Sequence, residues 1–501
     1  MCSSPSESFD PIEATVSDIH AAYEADHVTA EAVTEAYLSR ISEHDDDLNA
    51  ILAVNDNATH RARELDAAFE RDGFVGALHG IPVVLKDNQD THDMPTTVGS
   101  TALATSRPPR DAFVVSRLRE AGAVILAKAN LQEFAFGVDT VSSLGGATRN
   151  AYDLDRRPSG SSGGTAVAIA ANLGVIGTGS DTCSSVRSPP AFNDAVGVRP
   201  TAGLVSRTGL APLSDTQDTA GPITRTVEDA ARTLDAMAGY DPDDPITALG
   251  DRRMPDGGYT AHLDADGLDG SRIGVARQFF GLRNTDSASA RAADQVTEVI
   301  EDAITELRAA GATIVDPVDV VDLTVLESAR VLEYEFARDF DAYLSALGDA
   351  APYDSLAEIV ATGEVHPTVQ TRLEGTAILD IDGDALNENT GYLRSLRRRE
   401  EIKRLTLARM AEDDLDALLY PPSRVPPVEI PENQPFEEMN CELAAHTGLP
   451  SIVVPAGFTA DGLPVGVEFL GREFGEPRLF ELAYAFEQST DHRRPPDGFS
   501  E

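Results

Sequence analysis

Lysine is almost missing from this chain. Lys86, Lys128 and Lys403 are the only three, and the other 37 of its 40 basic residues are arginine. Acid is abundant instead: aspartate and glutamate number 84 in 501 residues, for a formal net charge of −44. The acids are spread along the chain and not gathered into a tail. This reads as a whole surface adapted to high salt, where screening relieves self-repulsion. Such a surface repels nucleic acid, which is held through basic contacts to phosphate. Cysteine is scarce too. Cys2, Cys183 and Cys441 are too few and too scattered to predict a disulfide framework or a metal cluster. Long apolar runs are lacking, so no segment is expected to cross a bilayer. The start, MCSSPSESFDPIEATVSD, has neither the basic opening nor the apolar stretch of a signal peptide. The expectation is a reduced, cytoplasmic protein with no membrane partner.

What is present is globular: 42% hydrophobic and 25% charged residues. Apolar spacing across 13–70 is helical, with Ile19, Ala22 and Tyr23, then Val33, Tyr37, Leu38 and Ile41. Gly80-Ile-Pro-Val-Val-Leu-Lys86 reads as a buried strand ended by a charge. An amphipathic helix over 111–123 and a second buried strand, 123–127, follow. Helix alternating with strand predicts an α/β fold with a covered sheet. Residues 158–164 form a loop, 165–173 an alanine-rich helix, and 175–179 a short strand. Towards the end, 450–454 and 463–470 read as strands and 476–489 as a helix. The chain divides into an N-terminal helical region (1–75), a core (76–240), a more acidic helical elaboration that shapes the pocket (240–440), and closing core elements (441–501). One large domain is expected.

The segment 158–187 has a useful geometry. A helix of nine or ten residues advances about 15 Å, and a returning strand of five spans roughly 16 Å. The loops holding Ser161 and Ser185 can therefore meet at one rim of the sheet. Glycines at 160, 163 and 164 permit unusual backbone shapes and close approach. A Gly/Ser loop is also compatible with a linker or a phosphate cradle. A lysine ending a strand is usually solvated, yet this chain has discarded nearly all its lysines and kept Lys86 there. Desolvated lysine can lose its proton, which arginine cannot. Gly160-Ser-Ser162-Gly-Gly164 also fits the G-x-S-x-G elbow with Ser162 as nucleophile. That elbow needs a strand immediately before it, and Asp153–Pro158 reads as a loop. The ten histidines show no spacing for a Ser-His-Asp or zinc site.

Seven stretches together resemble the amidase-signature family: GIPVVLKDN (80–88), PSGSSGGTA (158–166), GSDTCSSVRSPPAFNDAVGVRPT (179–201), SDTQDTAGP (214–222), TGLPSIVVPAGF (447–458), GLPVGVEFLG (462–471) and LAYAFEQST (482–490). The resemblance implies a single mixed, mostly covered sheet clad by helices. It also implies a Ser–cis-Ser–Lys triad with Ser185 as nucleophile, Ser161 in a cis peptide and Lys86 as general base. Backbone N–H groups of Thr182, Cys183, Ser184 and Ser185 would receive the oxyanion. Gly160, Ser162, Asp181 and Arg187 would support the site. No metal or cofactor is called for.

One departure bears on the oxyanion turn. Cys183 and Ser184 stand where the family often has Gly-Gly or Asp-Gly, so a positive φ there would cost strain. A Cys183 thiol nucleophile is disfavoured because Ser185 keeps the family spacing. The long 240–440 segment resembles stand-alone peptide amidases and general amidases, acting on a small-molecule or peptide amide. The alternative is the glutamine-hydrolysing A subunit of a Glu-tRNA(Gln) amidotransferase, whose Asp-x-Phe-Thr pattern is lacking in Phe436-Glu-Glu-Met-Asn440. A catalytically impaired relative that binds without turnover is the third reading. Homo-oligomerisation is left open.

Overall fold

The computed structural model describes residues 9–283, 287–381 and 383–500. Cys2 lies outside them. The strands are β1 (Ile51–Val54), β2 (Pro82–Lys86), β3 (Val124–Ala129), a short pair β4 (Val141–Ser142) and β5 (Gly146–Ala147), β6 (Ile176–Asp181), β7 (Val196–Arg199), β8 (Thr219–Thr224), β9 (Arg272–Val275), β10 (Thr313–Val315), β11 (Ala417–Tyr420), β12 (Ser451–Phe458) and β13 (Pro464–Leu470). Eleven of them form one sheet in the order β1-β3-β2-β6-β8-β7-β12-β13-β11-β9-β10.

That sheet is mixed. β3, β2 and β6 run parallel, as do β10, β9 and β11, while the strands between them pair antiparallel. Every residue of β2, β3 and β6 is buried, which is why these strands read as unbroken apolar or small-residue runs instead of alternating ones. The main core unites residues such as Val83, Leu85, Ile125, Ile176, Val198, Ile452 and Phe469 with the helices that cover the sheet. A second apolar cluster, around Phe134, Phe336, Phe340 and Leu356, anchors helices of the 330–375 region.

Two sequence expectations need amendment. The helical stretch 13–70 is interrupted by β1, an edge strand of four residues that is only partly buried. Half-buried edge strands lack a run long enough for period-two alternation to register. The 240–440 segment is helical as expected, with long helices at Ser287–Ala309, Leu332–Leu347 and Thr390–Glu412. It also supplies β9, β10 and β11, which complete one side of the main sheet.

Candidate active site

Lys86 ends β2 and Asp181 ends the adjacent parallel strand β6, so both residues arrive at the same carboxyl edge of the sheet. Ser161 precedes the helix Gly163–Ala170, which returns along β6. Gly177 and Gly179 let that helix lie directly on the strand. A Cβ on Gly177 would sit 2.5 Å from Thr165 Cγ2, and one on Gly179 would sit 2.7 Å from Ser162 Oγ. Neither distance is tolerable between carbon and a neighbouring heavy atom. Close approach brings the two serine loops into contact.

Ser161 Oγ and Ser185 Oγ are hydrogen-bonded at 2.9 Å, and Lys86 Nζ donates to Ser161 Oγ at 2.7 Å. Ser161 N–H also donates to Ser185 Oγ at 3.0 Å. The peptide between Gly160 and Ser161 is cis. Lys86 and Ser161 are wholly buried, whereas Ser185 retains 7% exposure. Of the three, Ser185 is the one that a substrate can reach. Burial pushes the Lys86 ammonium down to about 7, with Asp181 and Asp218 pulling the other way. Near neutrality a large share of Lys86 is therefore the free amine, the form able to accept a proton.

The glycines of the 160–164 loop act through space and not through φ. None of Gly160, Gly163 and Gly164 has a positive φ, whereas Ser159 does, at 64°. A side chain at Gly163 would overlap Thr140 Oγ1, and one at Gly164 the carbonyl of Asn130. Ser162 Oγ donates to the Ser180 carbonyl at 3.3 Å and is buried before a helix with no strand ahead of it, which removes the elbow reading.

Residues 182–185 form the turn after β6. Neither Cys183 nor Ser184 has a positive φ, so their side chains carry no left-handed strain. Among the described residues, the N–H groups of Thr182, Cys183, Ser184 and Ser185 have no hydrogen-bond acceptor. Four neighbouring donors are thus left without a partner at the end of β6. The turn is tied down on both sides. Thr182 Oγ1 donates to Asp218 at 2.5 Å, and the Thr182 carbonyl accepts from Gln217 Nε2 at 2.8 Å. Cys183 is joined to Cys441 by a disulfide. The expectation that the scattered cysteines stay reduced does not hold for this pair: 258 residues of separation leave their Cα atoms 4.9 Å apart. Sequence distance carries no information about a contact made through the sheet. A Cys183 thiolate nucleophile is ruled out in this form.

Asp181 and Arg187 are fully buried and paired at 3.2 Å, with Arg199 at 2.5 Å on the same carboxylate and Glu468 at 2.7 Å on Arg187. Burial opposes ionisation of Asp181, but the two guanidiniums hold its carboxyl below the usual range. Asp181 also accepts from the N–H of Val186 at 3.1 Å, so it braces the residue next to Ser185. Its contacts are those of a brace between the end of β6 and the residues after Ser185.

The cavity in front of Ser185 was not legible in the sequence. Phe136, Val138, Leu213, Leu332 and Phe436 give it an apolar lining, and Arg372 adds a positive charge. Arg372 stacks on Phe136 at 4.2 Å and on Phe436 at 5.6 Å. Among the described residues it forms no ion pair. His446 and Glu442 also line the cavity. Burial, aided by neighbouring arginines, holds His446 well below its ordinary value, hence neutral. Ser180 and Asn88, which surround Lys86, were missed as well. Their signal was available: Ser180 shares a strand face with Thr178, and Asn88 stands two residues after the lysine.

The architecture is that of an α/β enzyme, a large mixed sheet with an amine and two hydroxyls in file at its edge. Residues 32–480 match the family model described as Amidase, and the chain belongs to that family. It is a hydrolase of carbon–nitrogen bonds. A probable amidase of Arabidopsis thaliana is 35% identical over 513 residues, covering 98% of this chain and 93% of that protein. The A subunit of glutamyl-tRNA(Gln) amidotransferase from Halorhodospira halophila is 36% identical, covering 97% and 99%. The native peptide amidase of Stenotrophomonas maltophilia has the same fold, with a TM-score of 0.85, 39% identity, and coverage of 97% and 98%. The sheet and helices match the fold that the amidase-signature resemblance implied.

Proposed function

We propose that this chain hydrolyses a linear carboxamide to a carboxylate plus ammonia or an amine, through an acyl-enzyme on Ser185. The observation that carries the reading is the unbroken file from Lys86 Nζ through Ser161 Oγ to Ser185 Oγ, at 2.7 and 2.9 Å. Hydroxyl hydrogens rotate, so the same contacts serve either direction of proton transfer. With Lys86 neutral, Ser161 gives its proton to Nζ and takes one from Ser185. The Ser185 oxygen bonds to the amide carbon, and the carbonyl π pair moves onto oxygen, facing the N–H groups of 182–185. Collapse re-forms the carbonyl and breaks the C–N bond, while the proton returns through Ser161 to the departing nitrogen. Water then attacks the ester by the same relay, releasing the acid and restoring Ser185.

The acyl side of the substrate meets the apolar lining and Arg372, which favours groups carrying π or anionic character near the amide. We favour a stand-alone amidase on the likeness to peptide amidase and on the long 240–440 segment. The amidotransferase reading is supported by the unpaired Arg372, a fitting partner for an amino-acid carboxylate. A salt-adapted enzyme is part of this proposal. The Cys183–Cys441 bond weighs against a strongly reducing location. Ammonia release from a panel of primary amides at molar salt, with glutamine and a C-terminally amidated dipeptide included, tests the reading. Ser185→Ala should abolish release. Full turnover in that variant would end it.

A further inference from the structure

A lysine ammonium carries three N–H bonds and no lone pair. Three oxygens surround Lys86 Nζ: Ser161 Oγ at 2.7 Å, Ser180 Oγ at 2.9 Å and the Ser180 carbonyl at 3.3 Å. Two of these three acceptors belong to one residue. Ser180 is buried on β6. Its hydroxyl is fixed by Asn88, whose Nδ2 donates to Ser180 Oγ at 2.9 Å and to the Ala211 carbonyl at 3.2 Å. The end of β2 thus delivers both the amine and the clamp that aims its partner.

We propose that Ser180 is a positioning residue for amide hydrolysis: its hydroxyl and carbonyl receive the Lys86 ammonium as the proton arrives from Ser161, and so set the base strength of Lys86. The inference rests on the proposed relay through Lys86, Ser161 and Ser185.

The charged neighbours explain why contact acceptors matter. Asp181 and Asp218 act on Lys86 from a distance. Asp181 is engaged by Arg187 and Arg199. Asp218 is engaged by Thr182 and by the N–H groups of Leu213 and Ser214. Asp87, next in sequence, is paired with buried Lys128 at 2.8 Å. Among the described residues no carboxylate lies within ion-pair distance of Nζ, so hydroxyl and carbonyl oxygens alone meet the new charge at contact. A buried charge with an unpartnered N–H is strongly disfavoured. Loss of the Ser180 hydroxyl therefore weakens the base. Two effects follow: Lys86 deprotonates at lower pH, and the fully deprotonated enzyme turns over more slowly.

The scarcity of lysine makes this directly measurable. Protein labelled with ¹³C at lysine Cε should show three signals, the Lys86 one assigned by its loss in Lys86→Met. In the wild type that signal should titrate near 7. Ser180→Ala should lower its midpoint by about one pH unit, a tenfold change in acid constant, and Ser180→Thr should restore it. If Ser180→Ala does not fold, Ser180→Cys, with a weakly accepting sulfur, should show the same downward shift. Where a panel amide is turned over, the acid limb of kcat/KM should move down with the signal and the plateau should fall. A folded Ser180→Ala whose Lys86 titrates at the wild-type pH overturns the proposal. A dead Ser185→Ala beside an unmoved Lys86 would refute this inference alone. An active Ser185→Ala would refute the relay and leave the Lys86 titration to stand on its own.

Discussion

Cys183 and Cys441 are bonded to each other, which fastens the turn before Ser185 to the N-cap residue of the helix Glu442–Thr447. Cys441 is fully buried, and its carbonyl accepts from Arg187 at 3.2 Å. The bond thus belongs to the same brace that holds the turn 182–185. Thiol titration of unfolded, unreduced protein should find one free thiol of the three cysteines, and three after reduction. Reduction, or Cys441→Ser, should cost about 2–4 kcal/mol of stability, read by denaturant unfolding at constant salt. Three free thiols before reduction would show that the bond does not form.

Lys86 gives a pH prediction with a definite sign. Burial lowers its ammonium to about 7, and the proposed relay needs the amine. Activity should rise as pH climbs through about 7 and level off above it. Lys86→Ala should lower kcat by roughly 10²–10⁴, the usual contribution of a positioned base. Lys86→Arg should be equally poor, because guanidinium keeps its proton. A pH–rate profile flat from 5 to 9 would contradict this.

Asp181 lies between Arg187 and Arg199 with all three side chains out of water. Asp181→Asn keeps the shape but leaves two buried guanidiniums under-compensated. Breaking a buried pair in this way costs about 3–5 kcal/mol. The expected result is a matching loss in urea unfolding free energy, together with a fall in kcat, because the N–H of Val186 loses its carboxylate partner. A variant as stable as the wild type would show that the cluster does not bear on stability.

Arg372 should govern substrate choice rather than chemistry. It stacks between Phe136 and Phe436 at the cavity wall without a carboxylate partner among the described residues. Arg372→Leu should raise KM about tenfold or more for amides bearing a carboxylate, the usual scale for a hydrogen bond to a charged group. Neutral amides should change little. Comparing glutamine with a neutral amide in both proteins is the check, and equal losses on both would point to a packing role.

The elements legible in the sequence were those whose local pattern matches their environment. β2, β3, β6, β12 and β13 are buried runs, and the amphipathic helix Phe113–Glu120 shows its apolar face plainly. Lys86 stood out because nearly every other lysine was gone. Lys128, equally buried, ends as a structural partner of Asp87 and Thr96, so scarcity marks a desolvated lysine without saying what it does. Contacts made across the sheet left no local trace. Neither the disulfide nor the meeting of Phe136, Arg372 and Phe436 has a spacing that could reveal it. The glycines of 163–164 and 177–179 were visible, but their reason, helix laid on strand, required the neighbours.

Net charge makes the last prediction. At −44 over 501 residues, like charges crowd the surface, and compaction raises their mutual repulsion. Salt shortens the reach of that repulsion from about 10 Å at 0.1 M to about 3 Å at 1 M. The buried pairs, such as Lys128–Asp87 and Arg187–Asp181, are shielded from ions and should not weaken in step. Salt therefore relieves the repulsive part of the electrostatics while leaving the attractive interior in place. The thermal midpoint should climb between 0.1 and 2 M potassium chloride, and activity should climb with it. Potassium chloride and sodium chloride should act alike at equal ionic strength, because screening depends on ion valence and concentration and not on a specific cation site. A midpoint independent of salt, or one that falls, would mean that the acidic surface does not serve salt tolerance.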